Sequence, residues 1–312
     1  MLTNQRIFID AIKKYCSAHG IAVDVRSDGW LIVMQRGERR HFAFGYDIGL
    51  NSAIAHRIAN DKSATAEVLS LSGIACVPHT FFLGPELNRR AAPPWDEMLA
   101  LLERHRRGLV VKPNEGASGK WVFWVTSRPA LELAAKRIFA SSTSLAISPY
   151  LDIDDEIRVV LIDDMPAVVY AKQRTFVTGD GRRSLQELAH AALPKERRTA
   201  VLTKMMDEFD RGELDTILPH GQRRALDWRH NLEYGASPVL LETGVVRETC
   251  VALAIRAARA IGIRFASIDV VRADGDWRIL EINSGVMMEA LGRLHPELVH
   301  ATYHAALDKI FE

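Results

Sequence analysis

The chain has 312 residues, 48% hydrophobic and 25% charged, with 40 Lys and Arg against 39 Asp and Glu, a net charge of +1. That length suits two packed domains, or one domain with a large insertion, and the composition excludes disorder as the main state. The balanced charge offers no global field for nucleic acid or an anionic membrane, and no run of about 18 apolar residues reads as a membrane span.

In chain order, apolar spacing predicts a first helix over 3–18, closed near Gly20. Strands follow at 22–26 and 30–35, then a helical region over 52–71 that stops at Gly73. A stretch with Pro93 and Pro94 precedes a helix at 95–105. Strands are expected at 108–113 and 120–126, a helix at 129–140, and strands at 145–150, 157–162 and 167–172. Residues 185–224 read as helical and charged, and 247–261 as an Ala-rich helix closed by Gly262. A last hairpin pairs 267–272 with 277–283 around Asp274-Gly275. Hairpin strands mixed with helices indicate an α+β fold. The N-terminus, MLTNQRIFIDAIKKYC, lacks the apolar core of a signal peptide. Cys16, Cys76 and Cys250 are far apart and form no C-x-x-C, which fits a reducing, cytoplasmic compartment better than a disulfide scaffold or a zinc cluster.

Two segments carry chemistry. The first is Lys112-Pro-Asn-Glu-Gly-Ala-Ser-Gly-Lys120, a strand-end lysine followed by a loop with Gly116 and Gly119. Glycine lets backbone N–H groups approach phosphate oxygens, and Lys112 adds a point charge. The P-loop pattern fails, since Asn114 stands at its first position and Trp121 follows Lys120; G-x-S-x-G fails because Gly119 directly follows Ser118. An ordinary hairpin loop is the plainer reading of this segment alone.

The second is Ser267–Asn283. Glu281 and Asn283 alternate with Leu280 and Ile282 and so share one strand face. Asp269 joins that face if the hairpin loop has three residues, 274–276, which pairs 269 with 281. A two-residue loop pairs 269 with 280 and turns Asp269 to the other face. Two carboxylates and an amide oxygen on one face form a hard oxygen site suited to Mg²⁺; a solvent-facing polar hairpin is the alternative.

These two segments, in this order and about 150 residues apart, resemble the ATP-grasp superfamily of carboxylate–amine ligases. Asn60-Asp-Lys-Ser-Ala-Thr and the Gly73-Ile…Val77-Pro78 run look like its opening lysine-led helix and strand. Ile147-Ser-Pro-Tyr-Leu151 looks like its hinge, and Asp155-Glu-Ile-Arg158 like the acid and arginine that follow. The likeness covers about residues 30–290 and is nearest to the ATP-grasp segment of cyanophycin synthetase, through 177–188, Leu202-Thr-Lys204 and Arg229-His-Asn-Leu-Glu-Tyr-Gly235. The last motif is also similar to R-x-N-L of ligases that add glutamate to a ribosomal protein. Where the family often has Pro-Gly after the asparagine, this chain has Ser284-Gly285, near the acceptor site in relatives.

The resemblance implies two α+β subdomains gripping ATP: an N-terminal extension at 1–58 (a reduced pre-ATP-grasp region), a small subdomain at 59–151 with the Gly-rich loop, and a large subdomain at 152–312 with the Mg²⁺ site. It implies nucleotide contacts from Lys62, Lys112, Gly116, Ser118, Gly119, Pro149, Tyr150, Leu151 and Glu156. Asp155 is the alternative to Glu156 for the ribose. Lys172 is a further nucleotide contact, with Arg174 competing for the role. Metal ligands are Asp269, Glu281 and Asn283. Arg229 and Asn231, with Lys172, are the catalytic candidates, their fork and amide suiting an oxyanion. Arg158 binds a substrate carboxylate or pairs with Asp154 or Glu156.

The implied reaction joins a small-molecule carboxylate to an amine, an amino acid or small peptide, using ATP and Mg²⁺ through an acyl phosphate. The alternatives are a kinase of a small acceptor and a nucleotide-binding subunit without catalysis. A homodimer would cover the exposed sheet edge. The eleven histidines show no mutual ligand spacing.

Overall fold

The computed structural model describes residues 6–84, 95–116, 119–208 and 211–312. They form two compact units: residues 1–169 with 242–312, and 170–241. The α+β expectation holds.

The first unit begins with α1 (Ile7–Ala18) and an antiparallel meander, β1 (Ala22–Arg26), β2 (Leu31–Arg36) and β3 (Arg39–Phe44). The expected 52–71 helix is two helices, α2 (Ala53–Asn60) and α3 (Lys62–Leu71). Asp61 breaks it: its backbone is extended, and its side chain caps α3 by accepting from the Ala64 N–H at 2.7 Å. β4 (Thr80–Leu83), α4 (Trp95–Arg104), β5 (Leu109–Pro113), β6 (Phe123–Val125), α5 (Arg128–Phe139) and β7 (Ser144–Pro149) follow. Their sheet has the order β4-β7-β5-β6, antiparallel throughout. One face of it buries Phe82, Leu109, Val111, Leu145 and Ile147 against Met98 of α4 and Leu131, Ala135 and Ile138 of α5. Gly108 feeds β5 at a positive φ, where a Cβ would stand 2.4 Å from the Val125 carbonyl oxygen.

β8 (Ile153–Ile162) and β9 (Met165–Gln173) come next, and the chain passes into the second unit within β9. That unit adds β10 (Phe176–Thr178), α6 (Leu185–Ala192), α7 (Lys195–Glu208), α8 (Arg211–Leu214), β11 (Arg223–Ala225) and β12 (Ser237–Leu240). The helical run expected to 224 ends at 214, and 223–225 pairs with β10 instead. β12 pairs with the second half of β9. Val177, Leu185, Leu188, Leu193, Val201, Met205, Leu218 and Leu226 form this unit's core.

Back in the first unit, α9 (Val245–Ile261) leads to β13 (Phe265–Ala273) and β14 (Asp276–Asn283), then α10 (Glu289–Gly292) and α11 (Pro296–Phe311). β13 lies between β8 and β14. Residues 6–58 pack within this unit: Phe8 stacks edge-on against Tyr303, with ring centroids 5.1 Å apart, and Glu289 accepts from the Ile7 N–H and the Tyr46 hydroxyl. Among the described residues no helix is long and apolar enough to cross a membrane.

Candidate active site

The β13–β14 hairpin resolves the register in a way the sequence reading did not contain. Its loop has two residues, Asp274-Gly275, both at positive φ as a tight hairpin requires, and Ala273 faces Asp276. Such a loop should send Asp269 to the opposite face from Glu281. A bulge between Asp269 and Val270 restores the pairing: Val270 faces Ile279, Leu280 is extra, and Asp269 faces Glu281. The bulge occurs where β14 gains a second partner. Ile279 donates to Ala75 O at 2.9 Å and accepts from Val77 N at 2.8 Å, tying β14 to the segment after α3.

Asp269, Glu281 and Arg158 therefore form one row across three strands, since Asp269 also faces Arg158 of β8. Asp269 is fully buried, and both its oxygens accept from Arg158, at 2.7 Å from Nε and 2.7 Å from a terminal nitrogen. Asp269 is a partner of Arg158 that the sequence pattern alone does not name. Glu281 and Asn283 lie on the same strand face, and the Asn283 amide donates to Glu281 at 3.2 Å.

The Gly-rich segment is fixed to the start of α3 by a residue that sequence reasoning quoted but did not single out, Asn114. It is fully buried. Its Oδ1 accepts from the Ser63 N–H and hydroxyl, at 3.2 and 2.9 Å, and its amide donates to Asp61 at 2.7 Å. Lys62 Nζ donates to the carbonyls of Asn114 and Gly116, at 3.3 and 2.8 Å. The signal was present: an amide beside a strand-end Lys-Pro, and an Asp in capping position before Lys62.

A cavity of about 250 Å³ is lined by Ala59, Asn60 and Lys62 of the α2–α3 junction, by Glu115 and Gly116, and by Glu281, Ile282 and Asn283. Lys112 is buried on β5. Its pKa is lowered to about 8, by burial first and Lys62 second, with Glu281 and Glu156 opposing the shift. Burial also lowers Lys62, against Glu281, Asp61 and Glu115. Two lysine ammoniums and the carboxylates of Glu281 and Glu156 thus share one electrostatic neighbourhood. Glu156 is buried, whereas Asp155, the alternative for the ribose, pairs at 2.6 Å with Arg272 near the surface.

At the expected hinge, β7 ends at Pro149. Tyr150 gives its N–H to Gly108 O at 3.0 Å and stacks on Trp124 with centroids 4.2 Å apart. Gly119 has a positive φ; Ser118 lies outside the described residues. Beyond Asn283, Ser284 is fully buried and hydrogen bonds Asn60 Oδ1 at 3.1 Å and His56 Nδ1 at 3.0 Å, while His56 pairs with Asp47 at 2.8 Å. Sequence reasoning missed His56 and Asp47, whose spacing carries no motif.

The second unit holds the remaining candidates. Lys172 is buried on β9, and its carbonyl accepts from His230 Nδ1 at 2.8 Å. Arg174 lies over the Phe176 ring at 5.5 Å. Arg229 is gripped by Asp227, through Nε and a terminal nitrogen at 2.9–3.1 Å, and lies 4.2 Å from the Tyr234 ring centroid. Asn231 accepts from the Glu233 N–H at 2.8 Å, capping a short turn.

No family model matches the chain, and no curated protein matches it. Solved structures do. The chain is similar to D-alanine–D-alanine ligase of Bacillus anthracis, with 16% identity over 84% of this chain and 69% of that one, at a TM-score of 0.53. The same ligase complexed with ATP gives 13% identity over 83% and 69%, at 0.51. A bifunctional glutathione synthetase of Pasteurella multocida gives 17% identity over 94% of this chain, at 0.51; the chain spans 44% of that protein's length. The chain has the ATP-grasp fold.

Proposed function

We propose that the chain is an ATP- and Mg²⁺-dependent ligase that joins a carboxylate to an amine, on an amino acid or small peptide, in the cytoplasm. The observation that carries this reading is the cavity lined by Lys62 and Gly116 together with Glu281 and Asn283: cationic and backbone groups for phosphates, and oxygen donors for a divalent cation. The fold it shares with two ligases, one of them complexed with ATP, supports it.

Lys112 and Lys62 would hold the phosphate chain, and Gly116 and Gly119 would bring backbone close to it. Pro149 has no N–H and that of Tyr150 is taken, so Leu151 is the hinge residue left to donate to adenine. Glu156 would take the ribose. Glu281 and Asn283 fit Mg²⁺, with Asp269 held behind them by Arg158; bound there, the ion would neutralise the developing phosphate charge. The roles of Ser118, Lys172, Arg174, Arg229 and Asn231 rest on the resemblance. A carboxylate oxygen takes the γ-phosphoryl group as ADP leaves. The amine then attacks the acyl carbon, and phosphate leaves as the amine loses its proton.

The test is ADP release with Mg-ATP against pools of amino acids, dipeptides and organic acids, each with and without an amine. Hydroxylamine replaces the amine as a trap, and products are read by mass spectrometry. ADP release that needs a carboxylate, with a hydroxamate in the trap and a new amide mass without it, is the expected result. A phosphorylated product with neither amide nor hydroxamate would establish the kinase instead.

A further inference from the structure

His79 stands immediately before β4, and nothing in the reading above uses it. In the sheet, Thr80 faces Ile147 and Ile147 faces Val111; the adjacent row is Phe81, Ala146 and Lys112. Neighbouring rows point to opposite faces. The first face carries Phe82, Leu145, Ile147, Leu109 and Val111 into the core. The second carries Lys112, and extending β4 by one residue sets His79 on it, opposite Ser148.

Both ring nitrogens of His79 are buried, and among the described residues neither has a hydrogen-bond partner. The charged groups facing the ring are cations, Lys112 from β5 and Lys62 from the start of α3. Glu281 of β14 and Glu156 of β8 act on Lys112, and Asp61 and Glu115 on Lys62. Burial, then Lys112 and Lys62, hold the imidazole well below its ordinary pKa. The Val77 carbonyl favours the protonated ring but makes no hydrogen bond of ordinary geometry with it. Packing alone would be served by Leu or Phe, without desolvating two nitrogens. An imidazole with a donor and an acceptor to place, beside two ammoniums, is a site short of an anion.

We propose that His79 is a nucleotide contact, its imidazole donating a hydrogen bond to a phosphoryl oxygen of the ATP chain held by Lys62 and Lys112. The inference rests on the reading of this site as the ATP site. A consequence follows by linkage. The phosphate chain reverses the local field, so the proton affinity of the ring rises on binding and the complex takes up a proton at His79. Nucleotide affinity therefore rises as pH falls through the ring's pKa in the complex.

The test is calorimetric titration of the full chain with Mg-ATP and with adenosine, near neutral pH, in two buffers of different ionisation enthalpy. Wild type should bind Mg-ATP with net proton uptake. His79→Gln, which keeps a donor and does not titrate, should bind within about threefold as tightly but with less uptake. His79→Phe should weaken Mg-ATP about tenfold and leave adenosine unchanged. Equal uptake in wild type and His79→Gln assigns the proton to the lysines, Lys112 or Lys62, and overturns the proposal. Equal losses for ATP and adenosine in His79→Phe overturn it too, since a packing defect does not distinguish phosphates. Binding by wild type without any uptake overturns the proposal alone; no binding of Mg-ATP overturns the functional reading with it.

Discussion

The lysine side and the carboxylate side of the candidate site are built on opposite electrostatic plans. On the carboxylate side the deepest charge is already answered: Asp269 is fully buried, and the Arg158 fork meets both its oxygens. On the lysine side the deepest charge has no ion pair or hydrogen bond of its side chain among the described residues, and Glu281 and Glu156 attract it only partly against burial and Lys62. Lys112 is buried with its pKa lowered to about 8, and both His79 nitrogens lack a hydrogen-bond partner among the described residues. One half is a finished network, the other a cluster that an anion would complete. A site that gathers cations at a cost to the empty fold gains that cost back on binding a polyanion.

The largest effect expected from this contrast is at the finished half. Arg158→Met takes the guanidinium fork from the buried Asp269 carboxylate and should lower stability by about 3–5 kcal/mol, whereas Arg158→Met with Asp269→Leu should recover most of it. Denaturant unfolding of the three variants decides this, and a double variant no better than the single would show that packing, not charge, dominates. At the unfinished half the same kind of truncation should spare the fold. Lys112→Met should leave stability unchanged or raise it, while weakening ATP by about 100-fold in equilibrium titration.

The sign of the pH dependence sharpens the contrast. Below about pH 8 Lys112 is charged in both folded and unfolded chains, and its burial penalty is fully present. Between about 8 and the ordinary value of 10.5 the folded chain releases the proton and the unfolded chain keeps it. Stability from this group therefore rises with pH across that window. The rise, read as wild type minus Lys112→Met in urea, is expected at about 3 kcal/mol.

Asn114 links the Gly-rich segment to α3, and Asn114→Leu should cost about 2–3 kcal/mol by stranding the Ser63 and Asp61 groups. The smallest effect is at the surface. Asp155→Asn breaks an exposed pair with Arg272 and should change stability by less than about 1 kcal/mol and ATP affinity not at all. Glu156→Gln should weaken ATP binding, and the reverse order would move the ribose to Asp155.

Most strands and helices of this site were legible because burial imposes periodicity: the β5 run, the 145–150 strand and the α9 helix were read within a few residues. The breaks were not. Asp61 interrupts an apolar pattern that runs through 52–71, and only its capping role says so. The Asp269–Glu281 pairing was read correctly for one of two loop lengths, and the structure reaches it from the other. The reason, Ile279 pairing with 75–77, is a contact some 200 residues distant in sequence, which local pattern cannot hold. His79 carries no sequence signal for the same cause, since its chemistry comes from what the fold sets beside it, whereas Asn114 carries one in its place beside the strand-end Lys-Pro.

An incomplete cationic half and a carboxylate half are proposed to meet on one nucleotide. The most direct test is ATP binding, with and without Mg²⁺, to wild type, Lys112→Met and Glu281→Gln by equilibrium titration. Lys112→Met is expected to lose binding whether or not Mg²⁺ is present, and Glu281→Gln to lose only the increment that Mg²⁺ adds. Unchanged ATP binding in Lys112→Met, or an Mg²⁺ increment that survives in Glu281→Gln, would contradict the proposal.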